Sequence, residues 1–191
     1  MIGILLAAGF SRRFGEHDKL MHPLPDGRPI GLAAAENLIR AIPTTIAVIR
    51  PENHGLGELL AAAGLRVLTC TEHEQEMSDS LSAAVRHSAG FAEAAGGFVI
   101  ALADMPYIRS QTITAVADRL KSGSPIVVAT YQNQRGHPVA FSAKFRTELE
   151  HLHGDEGARS ILKRHQGEIF SLECDDPGIL ADIDTLSDLE T

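Results

Sequence analysis

Tryptophan is absent from this chain, and tyrosine and cysteine occur twice each. Cys70 and Cys174 stand far apart and form no CxxC pair, which excludes a disulfide scaffold and a zinc ribbon and fits buried thiols in a reducing cytoplasm. No apolar run is long enough to cross a bilayer, so no membrane partner is expected. The N-terminus has no charged segment ahead of its apolar stretch and no small-residue cleavage site, so the expected location is cytoplasmic. Positive charge is also short. Seventeen Lys and Arg stand against 25 Asp and Glu, a net charge of −8, which excludes a general nucleic-acid-binding surface but leaves room for a local basic pocket. Familiar catalytic signatures are missing too. There is no GxGxxG for a dinucleotide, no GxSxG elbow and no HExxH among the nine scattered histidines. Gly9 and Gly15 are one residue too far apart for a P-loop, and Lys19 does not follow Gly15 directly.

What is present is an ordinary globular composition, 44% apolar and 22% charged over 191 residues, the size of a single domain spanning 1–191. Strand-like and helix-like segments alternate. Gly3 to Leu6 opens as a buried strand, followed by an irregular connection over Leu20 to Arg28. Helices are predicted over Pro29 to Arg40, Gly57 to Ala63, Ser78 to Ser88 and Gln111 to Leu120, the last with Ser110 as N-cap. Strands are predicted over Thr44 to Ile49, Leu65 to Thr69, Phe98 to Ala103 and Pro125 to Thr130. Strand–helix–strand repetition implies an α/β fold with a mostly parallel sheet and helices on both faces. The second half is less regular: short strands at Pro138 to Phe141, Ile169 to Leu172 and Ala181 to Ile183, helices over Ala143 to His153 and Ala158 to His165, and a last helix from Thr185 to Leu189 with Thr185 and Asp188 in capping-box spacing.

In an open parallel sheet, ligands bind at the carboxyl ends of the strands. The first strand delivers Ala7, Ala8 and Gly9, followed by Arg12, Arg13 and Lys19. Small residues that admit a ligand to the backbone, followed by cations, suit a polyphosphate; an exposed basic turn is the plain alternative. Phe98 to Ala103 delivers Asp104, which is either a turn former ahead of Pro106 or, with Asp182 and Asp184 from the late strand, a site for Mg²⁺, which takes one or two carboxylates and leaves its other positions to water and phosphate.

These residues carry a resemblance. Leu6-Ala7-Ala8-Gly9-Phe10-Ser11-Arg12-Arg13-Phe14-Gly15…Lys19 resembles the LAAGxSxRxG…K loop of the MobA-like nucleotidyltransferase family. Asp104-Met105-Pro106 resembles its DxP element, and Asp182-Ile183-Asp184-Thr185 its C-terminal DIDT element. Gly136-His137-Pro138-Val139 and Gly154-Asp155-Glu156-Gly157-Ala158-Arg159 are similar to motifs of the molybdenum-cofactor branch, most of all its cytidylyl-transferring members. The resemblance implies a Rossmann-like, GT-A-type three-layer sandwich. It also implies transfer of a nucleoside monophosphate from CTP to the terminal phosphate of a molybdopterin-type substrate, releasing pyrophosphate.

In that reading Leu6, Ala7, Ala8, Gly9, Ser11 and Ser80 contact the nucleotide, and Arg13 and Lys19 hold its triphosphate. Asp104 and Asp184, with Asp182, bind Mg²⁺. His137, Pro138, Asp155 and Arg159 lie on the pterin side. A phosphate nucleophile is already ionised at neutral pH, so positioning and charge neutralisation by Arg13, Lys19 and Asp104-bound metal suffice, without a catalytic His or Cys. The methyl of Ala8 crowds a purine and favours CTP. The Gly15–Lys19 spacing, by contrast, resembles the guanylyl-transferring branch, so GTP stays open, as does a sugar-phosphate acceptor. A carrier without turnover, serving a molybdoenzyme partner, is the non-enzymatic alternative. The acidic run Glu72 to Glu76 departs from the cytidylyl pattern.

Overall fold

The computed structural model describes residues 1–9, 18–71, 76–154 and 157–189. Seven strands form one sheet: β1 (Ile2–Ala7), β2 (Thr45–Ile49), β3 (Arg66–Thr69), β4 (Phe98–Leu102), β5 (Ile126–Tyr131), β6 (Gln134–Phe141) and β7 (Ile169–Glu173). Their spatial order is β3-β2-β1-β4-β6-β5-β7. All run parallel except β6, which lies antiparallel between β4 and β5. The helices are α1 (Ile30–Ala41), α2 (His54–Ala62), α3 (Met77–His87), α4 (Ser110–Lys121), α5 (Arg146–Glu150) and α6 (Arg159–Arg164). Among the described residues, no helix is long and apolar enough to cross a membrane.

β1 lies between β2 and β4 and is buried on both faces, which is why its sequence is continuously apolar rather than alternating. Its side chains still divide by parity. Leu5 and Ala7 join one core with Leu38 of α1 and Val116 of α4, while Ile2, Ile4 and Leu6 join the other with Leu81 of α3 and Phe145. Two apolar layers on opposite faces of one sheet make the three-layer Rossmann-like sandwich that the sequence implies.

Five local expectations are corrected. β6 starts at Gln134, not Pro138, and is joined to β5 by the two-residue turn Gln132-Asn133, both at positive φ. That is the mirror-image turn whose twist matches a hairpin, built here without glycine, so the sequence gives little warning of it. Ala181 to Ile183 is not a strand: Ile183 N–H donates to the Asp104 carbonyl at 2.9 Å, and no ladder follows. The helix predicted over Ala143 to His153 is a 3₁₀ turn (Ala143–Phe145) followed by the short α5, and the predicted last helix is a 3₁₀ turn, Leu186–Leu189. Asp188 caps that turn, its carboxylate accepting from the N–H groups of Asp184 and Thr185 at 2.9 and 2.7 Å.

Ser110 is the first residue of α4, not its cap. The 2%-exposed carboxylate of Asp176 serves this helix start instead, accepting from Arg109 N at 2.9 Å and Thr112 Oγ1 at 2.6 Å. The turn carrying Asp176 is pressed close to the chain before α4. A Cβ at Gly178 would collide with the Tyr107 carbonyl, so only glycine fits there.

Candidate active site

The carboxyl ends of β1 and β4 are neighbours, and the chain after each turns toward the same place. The backbone passes Ala7 and Ala8, both buried, and reaches Gly9, which is exposed and, chain neighbours aside, has no heavy atom of the described residues within 4 Å of where a Cβ would stand. This is an open backbone that a ligand can approach. Ser11, Arg13 and Phe14 of the first loop lie outside the described residues. Lys19 sits in the 3₁₀ turn Lys19–Met21, whose start is capped by Asp18 Oδ1 on Leu20 N at 3.1 Å. This turn directs the lysine inward, and its side chain is 10% exposed.

Lys19 Nζ donates to Asp104 Oδ2 at 2.8 Å and to Asp184 Oδ1 at 3.3 Å. Lys19, named from the sequence for phosphate, therefore touches both Asp104 and Asp184, named for metal. Burial opposes the charge on the ammonium, but the hydrogen bonds and charges of Asp104 and Asp184 together outweigh it and hold Lys19 above its ordinary pKa. Two aspartates from separate segments converging on one nitrogen span what a small divalent cation bridges. Hard carboxylate oxygens are the donors Mg²⁺ and Mn²⁺ take, so the residues present fit such an ion. Asp182 is exposed and makes no described contact with Lys19.

Arg50 was missed from the sequence. It directly follows β2, the strand beside β1, and its Nε donates to the Ala8 carbonyl at 2.7 Å, fixing the backbone of the first loop. The rule that selected Asp104, residues just after strands, would have found it. Ser80 is 3% exposed in α3, where its hydroxyl lies 3.4 Å from Cys70 Sγ and donates to the Glu76 carbonyl. Glu76, the last residue of the acidic run, is turned onto its own helix. Its side chain caps α3 and its N–H donates to Asp79 Oδ2 at 3.2 Å. Glu72 to Gln75 lie outside the described residues.

Next to this trio, on the α3 and α6 face of the sheet, is a cavity of about 480 Å³. Leu6, Ile100, Leu102, Val128 and Val139 of the strands make its floor, and Leu81 and Leu162 its helical sides. Arg135, Arg159 and Lys163 line it with exposed cationic side chains, and no acidic residue does among the described residues. Arg159 was named from the sequence; Arg135 and Lys163 were not. His137 also lines the cavity, and burial holds its ring below the ordinary histidine pKa. Pro138 is buried beside it. Gly136 of the same motif is explained by packing, since a Cβ there would collide with the Ile179 carbonyl. Asp155 lies outside the described residues.

A Rossmann-like sheet whose strand ends present an open backbone, a lysine and two convergent carboxylates beside an apolar, cation-rimmed cavity defines a nucleotidyltransferase. Residues 3–169 match the MobA-like NTP transferase domain, and the chain belongs to that family. It is 32% identical to the purine catabolism protein PucB of Bacillus subtilis, across 97% of this chain and 92% of that one. It is 25% identical to nicotine blue oxidoreductase of Paenarthrobacter nicotinovorans, across 98% and 93%. Its fold superposes on the crystal structure of Rv0371c from Mycobacterium tuberculosis with a TM-score of 0.80, at 26% identity over 100% of this chain and 97% of that one. A second structure of Rv0371c is a manganese complex.

Proposed function

We propose that this nucleotidyltransferase moves CMP from CTP onto the terminal phosphate of a molybdopterin-type acceptor, releasing pyrophosphate. The observation that carries this reading is the Lys19–Asp104–Asp184 contact beside a cavity with an apolar floor and three cations. The floor accommodates a flat heteroaromatic ring, and the cations accommodate an anionic tail.

Ala7, Ala8 and Gly9 face the base and ribose; Lys19, with Arg13, takes the triphosphate; Asp104 and Asp184 hold the divalent ion, with Asp182 at its margin. The manganese complex of Rv0371c supports a divalent ion here, and Mg²⁺ is the one we assign. That ion neutralises charge on the α-phosphate and the departing pyrophosphate. With that ion held by Asp104 and Asp184, Lys19 would be available to the phosphate oxygens. Arg135, Arg159 and Lys163 hold the acceptor phosphate for in-line attack. That phosphate is already anionic, so no residue needs to remove a proton from it.

The choice of CTP rests on Ala8. Its methyl narrows the floor of the base site, and the Arg50 hydrogen bond to its carbonyl stops the backbone retreating to admit a purine. Thermal shifts with CTP, GTP, ATP and UTP, each with Mg²⁺, test this: selective stabilisation by CTP is expected, and selective stabilisation by GTP makes the protein a guanylyltransferase. Pyrophosphate release with a pterin phosphate tests the transfer. Tight pterin binding without pyrophosphate from any nucleotide makes it a carrier for a molybdoenzyme instead. Asp104→Ala should abolish metal-dependent nucleotide binding.

A further inference from the structure

Asp104 and Asp184 reach Lys19 from segments that are held in different ways. Asp104 stands directly after the β4 ladder, where Ala103 N–H still donates to the Leu6 carbonyl at 3.0 Å. Asp184 has no strand behind it. It lies between the turns Pro177–Leu180 and Leu186–Leu189, and its side chain is nearly half exposed. A carboxylate on such a segment keeps its backbone freedom unless other bonds tie the chain down. Donors bind a divalent ion more tightly when they are already in place, so whatever ties Asp184 down also sets the affinity of the ion.

Three consecutive backbone N–H groups supply the ties. That of Ile183 donates to the Asp104 carbonyl at 2.9 Å and joins the two aspartate segments directly. Those of Asp184 and Thr185 both donate to Oδ2 of Asp188, at 2.9 and 2.7 Å. The Thr185 hydroxyl donates to the same oxygen at 2.9 Å. The two peptide groups that flank the Asp184 Cα are thus fixed to one carboxylate oxygen. Peptide groups are planar, so fixing both sets the direction in which the Asp184 side chain leaves the backbone. That direction carries its Oδ1 to 3.3 Å from Lys19 Nζ. Asp188 Oδ2, with three donors upon it, has its lone pairs occupied by the chain itself.

We propose that Asp188 is a positioning residue for the divalent-ion site. Through these three bonds it holds the Asp184 carboxylate facing Lys19 and Asp104, and it does so as a hydrogen-bond acceptor rather than as a ligand of the ion or a source of charge. This rests on the reading of Asp104 and Asp184 as the residues that hold the ion. Without Asp188 the Asp184 carboxylate is still present but no longer aimed, so the loss falls on affinity for the ion.

Mn²⁺ uptake by the protein alone, read from the loss of the free-ion EPR signal, tests this. Asp188→Ala removes all three bonds and should weaken Mn²⁺ binding about tenfold, the lower end of the loss caused by removing a residue that supports a metal ligand. Asp188→Asn keeps an oxygen for the same donors without the charge and should recover most of that loss. Asp188→Glu keeps the charge, carries the oxygen one methylene too far, and should bind as weakly as the alanine variant. Asparagine and glutamate together decide the matter should the alanine variant not fold. A purely structural role would lower the melting temperature and leave the Mn²⁺ affinity of the folded protein unchanged. Wild-type affinity in Asp188→Ala, or an asparagine variant no better than the glutamate variant, overturns the inference and leaves the metal reading standing. A wild type that takes up no Mn²⁺, or an Asp184→Ala protein that takes it up equally well, overturns the metal reading itself and the inference with it.

Discussion

Lys19 lies between the two carboxylates proposed to hold a divalent cation, and replacing it with methionine tests the whole site. The substitution keeps a long unbranched side chain in the turn Lys19–Met21 and removes the ammonium from between Asp104 and Asp184. Side-chain exposures are 10% for Lys19, 26% for Asp104 and 46% for Asp184. An exposed ion pair contributes about 0–1 kcal/mol, and removing one partner of a fully buried pair costs about 3–5 kcal/mol. The Lys19–Asp104 pair lies nearer the buried limit and Asp184 nearer the exposed one, which puts the loss at about 2 kcal/mol. At roughly 2–4 °C per kcal/mol for a chain of this size, the melting temperature should fall by about 4–8 °C in EDTA.

Divalent metal should then act unequally. In the wild type it would compete with the ammonium for the same two carboxylates; in Lys19→Met that competitor is gone. Mn²⁺ titrations followed by thermal melting, without nucleotide, should show a larger stabilisation of the variant, closing at least half of the gap seen in EDTA, because a ligand that binds only the folded state stabilises it by mass action. Nucleotidyl transfer should be lost in the variant, since the triphosphate then lacks its lysine. A variant as stable as the wild type in EDTA, or one whose deficit persists undiminished in saturating Mn²⁺, would refute the assignment of Asp104 and Asp184 to the metal.

Arg50→Met should relax nucleotide selectivity, raising GTP binding relative to CTP several-fold in thermal-shift titrations, and should cost about 1–2 kcal/mol in urea denaturation for the lost charge-assisted bond to the Ala8 carbonyl. Asp176→Ala should be the most destabilising change outside the site, about 3 kcal/mol by urea denaturation, because Arg109 N, Thr112 Oγ1 and Gly178 N all lose a buried carboxylate at once; nucleotide selectivity should not change. The pH dependence of stability should carry a histidine contribution. Burial holds His137 below its unfolded value of 6.5, so the unfolded chain takes up this proton first. The contribution is complete above pH 6.5 and is lost as pH falls toward the depressed folded value. His137→Asn should flatten that part of the profile when urea midpoints are compared at pH 7.5 and 5.5.

Which elements could be read from the sequence follows from how many constraints each satisfies locally. β1 and β4 are central, buried on both faces and parallel, and only continuous apolar runs can occupy such places. The first half of β6 has no such signature. Gln134 and Arg135 are exposed at its start, and the turn before it uses Gln132 and Asn133 in place of glycine. Ala181 to Ile183 fails in the opposite sense. It looks like a strand because Ile183 is buried, but that burial comes from the segment packing beneath Asp104, with one backbone hydrogen bond in place of a ladder. The order of strands in space, with β6 inserted between β4 and β5, depends on packing between distant segments, and no local pattern encodes it.

The site divides in the same way. Lys19, Asp104 and Asp184 could be named because chemistry at the ends of parallel strands concentrates charged residues in short, recognisable segments. Arg135 and Lys163 could not, because the cavity they rim exists only once β6 and α6 are packed against the sheet. The sequence also assigned the lysine to phosphate and the aspartates to metal as if these were separate tasks. The structure puts the lysine in contact with both aspartates, so in the protein without ligands the ammonium neutralises part of their charge. In the proposed reaction Asp104 and Asp184 would hold a divalent ion, which would supply positive charge in place of the ammonium, and Lys19 would bind the phosphate oxygens. A metal at the carboxylates with no phosphate would leave the nine-tenths-buried Lys19 ammonium without these partners, which is why metal and triphosphate should bind with positive coupling, each strengthening the other by the same factor.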